Sequence, residues 1–196
     1  MHILQKFKIT ERIETMTPHR LDLATSGIII FCRNIKSLKE LQRQFRNRVV
    51  KKKYSAILYG CVNEKSGIID LPIGRDDVFG PPCFTIDKTC FGKEALTRFE
   101  LVESSKYCSK VNLYPLTGRT HQLRLHTAAI GHPILGDFFY STSSVYKSSE
   151  RLMLHAEEIE FSHPVSKKHM HIVSSSSFQL ASVDNYFRDL DLGFQE

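Results

Sequence analysis

The chain has 196 residues, 41% of them apolar and 24% charged, with 27 Lys and Arg against 21 Asp and Glu for a formal charge of +6. That length suits one domain with one core, and the composition is that of an ordinary globular protein. The basic balance favours a nucleic acid or another anionic surface over an acidic partner.

Other classes fall away on simple counts. The five cysteines, at 32, 61, 83, 90 and 108, are odd in number and form no Cys-x-x-Cys pair. Reduced thiols in a cytoplasmic compartment are expected, with no zinc ribbon. His121 and His126 are five residues apart, so one helix face does not present both to a metal. The opening residues are polar and mixed in charge, unlike a signal peptide. No apolar run approaches the ~20 residues of a membrane span.

In chain order, residues 1–18 read as a short strand or arm and a loop ending at Pro18. Residues 26–32 read as a fully buried strand, from their unbroken β-branched run. Leu38, Leu41, Phe45 and Val49 recur at helical spacing over 35–49, with Ser37 and Glu40 placed for a capping box. Residues 54–60 alternate as a strand. Residues 61–94 hold most of the Gly and Pro and read as loops and short edge strands. Strands are predicted over 95–102 and 110–116, and a helix over 120–130 that Gly131 and Pro133 stop. The Ser-rich residues 141–149 read as a surface loop. Strands at 152–156, 158–162 and 169–173 and a terminal helix over 183–190 complete an α+β pattern.

The chemistry concentrates in two stretches. In His19-Arg-Leu-Asp-Leu-Ala-Thr-Ser-Gly27, Asp22 stands behind the basic pair His19 and Arg20, on a loop leading into a strand. Thr25, Ser26 and Gly27 let the backbone turn tightly and approach a ligand. A carboxylate there can act as nucleophile or base on a glycosidic carbon; equally, a lone Asp before a strand can be a turn residue. In Leu116-Thr-Gly-Arg-Thr-His-Gln-Leu-Arg-Leu-His126, a turn leads into a helix carrying His121 and Arg124. Arg119 sits at its N-terminus, where the dipole disfavours a cation. A fixed anion, Asp22 or a phosphate, would explain it, and an arginine beside Asp22 would hold the carboxylate ionised and aimed.

Residues 43–53 carry Arg43, Arg46, Arg48, Lys51, Lys52 and Lys53 without an acid, and Tyr54 follows. Cations that take phosphates, ending on an aromatic ring that takes a base face, suit RNA. Tyr54 also falls on one strand face with Ala56 and Leu58, so a core role stays open. A hydrolase using Asp22 with His19 finds no positioned Ser or Cys nucleophile.

These stretches, with Lys53-Tyr-Ser-Ala56, Gly131-His-Pro-Ile-Leu-Gly-Asp137 and Arg151-Leu-Met-Leu-His-Ala156, resemble the RluA family of RNA pseudouridine synthases, in the family's order over roughly residues 15–178. The resemblance implies one pseudouridine synthase domain with a central, mostly antiparallel mixed sheet flanked by helices and loops. It implies that uridine in RNA becomes pseudouridine without cofactor or metal, on 23S ribosomal RNA, a tRNA anticodon stem-loop or both, after the base leaves the stack. It makes Asp22 the catalytic aspartate, Arg119 its partner and Tyr54 the stacking ring and proton acceptor. Arg20 would fill the space of the flipped base and Leu154 would line the uracil pocket. His19, Thr25, Lys53, His121 and Arg124 are expected to contact substrate. A monomer without a membrane partner is expected.

One departure stands out. Family members carry a further strand segment with a Lys-Pro element before the aspartate motif, whereas 18 residues precede His19 here and none forms Lys-Pro. The chain is therefore expected to lack that segment and to expose sheet edge. A truncated, non-catalytic RNA-binding relative is the alternative reading; Asp22, Tyr54 and Arg119 all being present favours the enzyme.

Overall fold

A computed structural model describes residues 16–76, 84–89 and 91–193; the arm predicted before residue 16 lies outside the described residues. The centre is β2 (Lys51–Tyr59), paired antiparallel with β7 (Cys108–Pro115) on one edge and with β8 (Leu154–Ser162) on the other. Beyond β7 follow β6 (Leu96–Ser104) and β3 (Ser66–Asp70). On the far edge of β8 lie β1 (Ser26–Gly27), the single parallel strand among the described residues, and β9 (His169–Val173). A small second sheet pairs β4 (Ile73–Arg75) with β5 (Phe84–Ile86). The mostly antiparallel mixed sheet is the one expected for the α+β fold.

Burial on both faces explains why β2 loses its alternation midway: Ala56, Ile57 and Leu58 are all at most 2% exposed. They join Val111, Leu113, Ile134 and Leu135 in the main core. A second cluster forms where α1 (Ile35–Arg46) lays Leu38 and Leu41 against Ile159 and Phe161 of β8. Gln44 of α1 completes the seam like a strand residue, donating to the Ser162 carbonyl at 2.9 Å and accepting from the Ser162 amide at 3.0 Å. The remaining helices are α2 (Gln122–Ala129), α3 (Ser143–Lys147) and α4 (Leu180–Gly193). No helix among the described residues is long and apolar enough to cross a membrane.

Several local expectations are corrected. Residues 26–32 are not a buried strand: the ladder stops at Gly27 and Ile29 is exposed. The next amide bonds go to mixed partners, Ile28 to the Ala156 carbonyl, Ile30 to His19 and Cys32 to the Met16 carbonyl. The helix predicted over 35–49 ends at Arg46, because Arg48 turns left-handed (φ 56°) and sends Val49 into solvent. Its cap is Asn34, whose side chain accepts from the Ser37 amide at 2.9 Å. Glu40 pairs instead with Arg43 and Lys167. The Ser-rich loop holds α3, capped by Thr142, which buries Val145. The strands expected at 152–156 and 158–162 are one strand, β8, with an irregularity opposite Lys53 and Tyr54. The terminal helix is longer than expected, and residues 95–130 follow the prediction to within a few residues.

Candidate active site

The loop before β1 is pinned at both ends. At its start the His19 ring stacks on Phe45 of α1 at 4.9 Å, and its Nε2 accepts the Ile30 amide at 3.0 Å. Burial, helped by the charge of Lys52, pushes the His19 pKa down to about 4. His19 is thus a neutral anchor of the loop rather than half of a basic pair, and its Nε2 is unavailable to serve Asp22. At its far end Gly27 has φ 112°, and a Cβ there would stand 2.2 Å from the Ala156 carbonyl oxygen, so only glycine lets the loop reach β8. Ser26 donates to His155 Nδ1 at 2.7 Å, because His155 spends its Nε2 proton on the Ser174 carbonyl, also at 2.7 Å. Arg151 donates to the Ser26 hydroxyl at 2.6 Å.

Between these anchors the chain turns, with the Thr25 amide bonded to the Asp22 carbonyl at 2.9 Å. Asp22 lines a cleft of about 540 Å³ shared by Tyr54, Leu154, His121 and Lys52. Exposed Arg20 lies on its wall. Thr25 lines it too, with a buried hydroxyl that has no hydrogen-bond partner among the described residues.

The cation beside Asp22 is Arg124, not Arg119. Arg124 Nη1 lies 3.9 Å from Asp22 Oδ2, an ion-pair contact longer than a hydrogen bond. The rest of its guanidinium is held by buried Asp137, through Nε at 2.7 Å and Nη2 at 2.6 Å. Asp137 also accepts the amides of Phe139 and Tyr140. Burial opposes the Arg124 charge, but the Asp137 bonds and charge outweigh it and the pKa rises. Asp137 reaches this position through Gly136 (φ 74°), where a Cβ would meet the Arg151 carbonyl oxygen at 2.1 Å.

Arg119 instead sends Nε to the Glu94 carbonyl at 2.9 Å, at the rim of the cleft. Its backbone is fixed by Gln122, whose Oε1 accepts from the Arg119 amide at 3.0 Å and the Thr117 hydroxyl at 2.7 Å. The Gln122 amide group donates to Thr97, and Thr97 donates to His126 Nδ1. The tautomer follows from the other His126 nitrogen, which faces the Leu71 carbonyl and must carry the proton. Burial lowers the His126 pKa, consistent with a neutral ring.

Tyr54 stands opposite Leu113 of β7 and Ala156 of β8, partly buried against the main core, with its ring on the cleft. The core and cleft readings of this residue therefore both describe it. Burial and then the Asp22 charge push its pKa up to about 12. Leu154, the cross-strand partner of Ala56, is buried and forms cleft wall.

The basic run is less free than its local sequence suggests. Arg43 pairs with Glu40, Arg48 with Glu94 and Lys51 with Glu160. Lys53 is gripped by Glu157 at 3.1 Å and Glu158 at 2.7 Å. The irregularity of β8 sets both carboxylates against one lysine, since Lys53 pairs with Glu158 while Tyr54 skips to Ala156. Lys53 is thus held by two acids and is not among the residues that line the cleft. Lys52 points the other way, into the cleft, where burial lowers its pKa to about 8.

Sequence reasoning missed Asp137 and the bracing by Gln122. The usable signal was Arg124 between Leu123 and Leu125 in a helix with little polar face. A cation buried there requires a counter-ion.

Comparison with known proteins places this geometry. A family model described as RNA pseudouridylate synthase matches residues 2–129. The dual-specificity RNA pseudouridine synthase RluA of Pasteurella multocida is 43% identical over 163 residues, covering 82% of this chain and 73% of that protein. The protein of the same name from Haemophilus influenzae is 45% identical over 161 residues, with the same coverage of 82% and 73%. Among solved structures, human RNA pseudouridylate synthase domain containing 1 superposes with a TM-score of 0.75 at 34% identity, covering 87% of this chain and 72% of that one.

Proposed function

This chain belongs to the RluA family of RNA pseudouridine synthases, and we propose that it isomerises uridines in 23S ribosomal RNA, a tRNA anticodon stem-loop or both, through Asp22. The observation that carries the reading is the Asp137–Arg124–Asp22 line, in which Asp22 lines the cleft and the cation beside it is braced from behind by Asp137. The relatives in Pasteurella and Haemophilus are named dual-specificity, which supports more than one RNA class. The enzyme works as a monomer in the cytoplasm, where both RNAs are found.

Uridine and pseudouridine are isomers, so no group enters or leaves overall. The Asp22 carboxylate adds at the ribose carbon as the glycosidic C–N bond breaks, and the electron pair leaves with the base. The freed base turns, its C5 bonds to the same ribose carbon, and Asp22 is released. The C5 proton then departs and a ring nitrogen gains one. Arg124 orients Asp22 in place of the expected Arg119, which serves as a phosphate contact on the rim. Leu154 and the Tyr54 ring hold the base between apolar faces, and Arg20 fills the space it vacates. His121 and Thr25 contact the nucleotide. A phenol with its pKa near 12 is protonated at neutral pH, so Tyr54 takes a proton only by passing its own onward. The released Asp22 carboxylate is the nearby acceptor.

The test uses unmodified transcripts of a 23S fragment and of tRNA, with pseudouridine mapped chemically. Wild type should mark discrete uridines, and Asp22→Asn should mark none while melting at the same temperature. Turnover by a folded Asp22→Asn would remove Asp22 from the reaction.

A further inference from the structure

From the cleft a line of aromatic rings runs out onto the surface. His121 lines the cleft, and Phe139 stacks on it at 6.1 Å with the planes 22° apart. Phe138 meets Phe139 at 5.3 Å, and Tyr146 meets Phe138 at 5.2 Å. Phe138 is 67% exposed, Phe139 49% and Tyr146 42%. Both contacts of Phe138 are steeply tilted, at 83° and 76°, and no ring among the described residues stacks parallel on it. Arg124 lies 5.4 Å from the Phe139 ring, so the inner end of the line carries a cation as well.

The three adjoining rings pack on one another yet each leaves more than two fifths of its surface exposed. They are continuous with the cleft, and an RNA that delivers a flipped uridine there must splay the nucleotides beside it. We propose that Phe138, backed by Phe139, is the platform on which an unpaired base neighbouring the target uridine stacks. The inference rests on the reading of the cleft as the uridine site. It makes Phe138 a specificity determinant for substrates whose target lies in an unpaired loop, because a base held in a continuous helix cannot reach the ring.

The probe is an anticodon stem-loop carrying 2-aminopurine at each loop position in turn, with pseudouridine formation in the unlabelled transcript scored in parallel. Wild type should quench the emission at one loop position. Phe138→Ala should remove that quench and raise KM by roughly 10- to 100-fold, the scale of one lost stacked base, with kcat unchanged. Phe138→Trp should restore both, and Phe138→Leu, which is apolar without a π face, should not. The proposal is overturned if no loop position is quenched or if Phe138→Ala quenches like wild type. It is also overturned if Leu works as well as Trp, if Phe138→Ala lowers the melting temperature, or if it changes only the mass of the protein in solution, which would make the rings a protein interface. The parallel assay keeps the two readings apart: pseudouridine formed with Phe138→Ala indistinguishable from wild type sinks the platform alone, and quenching without any pseudouridine sinks the proposed reaction alone.

Discussion

Arg124 Nη1 stands 3.9 Å from Asp22 Oδ2 while the other side of the same guanidinium is bound to Asp137 at 2.6 and 2.7 Å. The two carboxylates have different duties. Among the described residues the Asp137 carboxylate accepts four hydrogen bonds and is sealed from solvent, whereas Asp22 opens onto the cleft. The first fixes the guanidinium, which sets its charge beside the second.

Arg124→Ala should therefore damage both fold and turnover. It leaves Asp137 charged, buried and unpaired, a loss of roughly 3–5 kcal/mol. Arg124→Lys keeps a charge but loses the two-pronged grip, so it should retain most of the fold and lose most of kcat. Arg119→Ala should raise KM in a salt-dependent way and spare kcat. Thermal melts beside single-turnover kinetics separate the three; a kcat collapse in Arg119→Ala with Arg124→Lys fully active would reverse the assignment.

The sequence made Asp22 legible because its neighbours are local: the Ser26-Gly27 turn and the basic residues lie within a few positions. Arg124's partner lies 13 residues on, and the acids that neutralise Lys51 and Lys53 lie 109 and 105 residues on, beyond any local count of charge. The same limit applies to strands. Residues 169–173 read correctly as a strand, and 54–60 fall in β2, but β2 begins earlier, at Lys51, and burial on both faces replaces the expected alternation. The Ile28–Ile30 run read as buried strand because three β-branched residues look alike in sequence, while in the fold Ile28 and Ile30 pack on the α1 cluster and Ile29 faces out.

His19 gives a pH prediction. Its pKa is lowered from 6.5 to about 4, so the unfolded chain binds this proton more readily than the folded one. Stability is full above pH 6.5, falls as pH drops through the window from 6.5 to 4, and levels below it. The loss should be on the order of 3 kcal/mol at most, and the loop carrying Asp22 should loosen first. His19→Gln should flatten that part of the stability-against-pH curve. An equal acid slope in the variant would assign the effect elsewhere.

Lys52 and Lys53 should behave oppositely toward RNA despite being neighbours. Lys53→Ala should leave the slope of log K against log salt unchanged, because Glu157 and Glu158 already neutralise it. Lys52→Met should reduce that slope by roughly 0.7–0.9, one phosphate contact. With its pKa lowered to about 8, Lys52 is charged at pH 7 and largely neutral at pH 9.5, so wild-type affinity should fall across that range. Lys52→Met should not show the fall. Binding titrations at two pH values and several salt concentrations read all of this.

Tyr54→Phe separates the ring from the hydroxyl. The ring stands at the core edge between Leu113 and Ala156, and Phe preserves its volume, so melting temperature and RNA affinity should hold. In the proposed reaction the oxygen carries the proton, so kcat should fall by about 10²-fold or more. The raised pKa, about 12, adds a second test: the phenol does not ionise between pH 6 and 10, and the wild-type rate should show no Tyr54 limb in that range. A group with its folded pKa raised contributes stability that is present below pH 10 and lost as pH climbs through 12. That alkaline loss should vanish in Tyr54→Phe. Tyr54→Ala removes packing and stacking together and should lose stability, affinity and turnover. If Tyr54→Phe turns over like wild type, the residue is a wall and stacking surface, and Asp22 itself must receive the C5 proton without an intermediary.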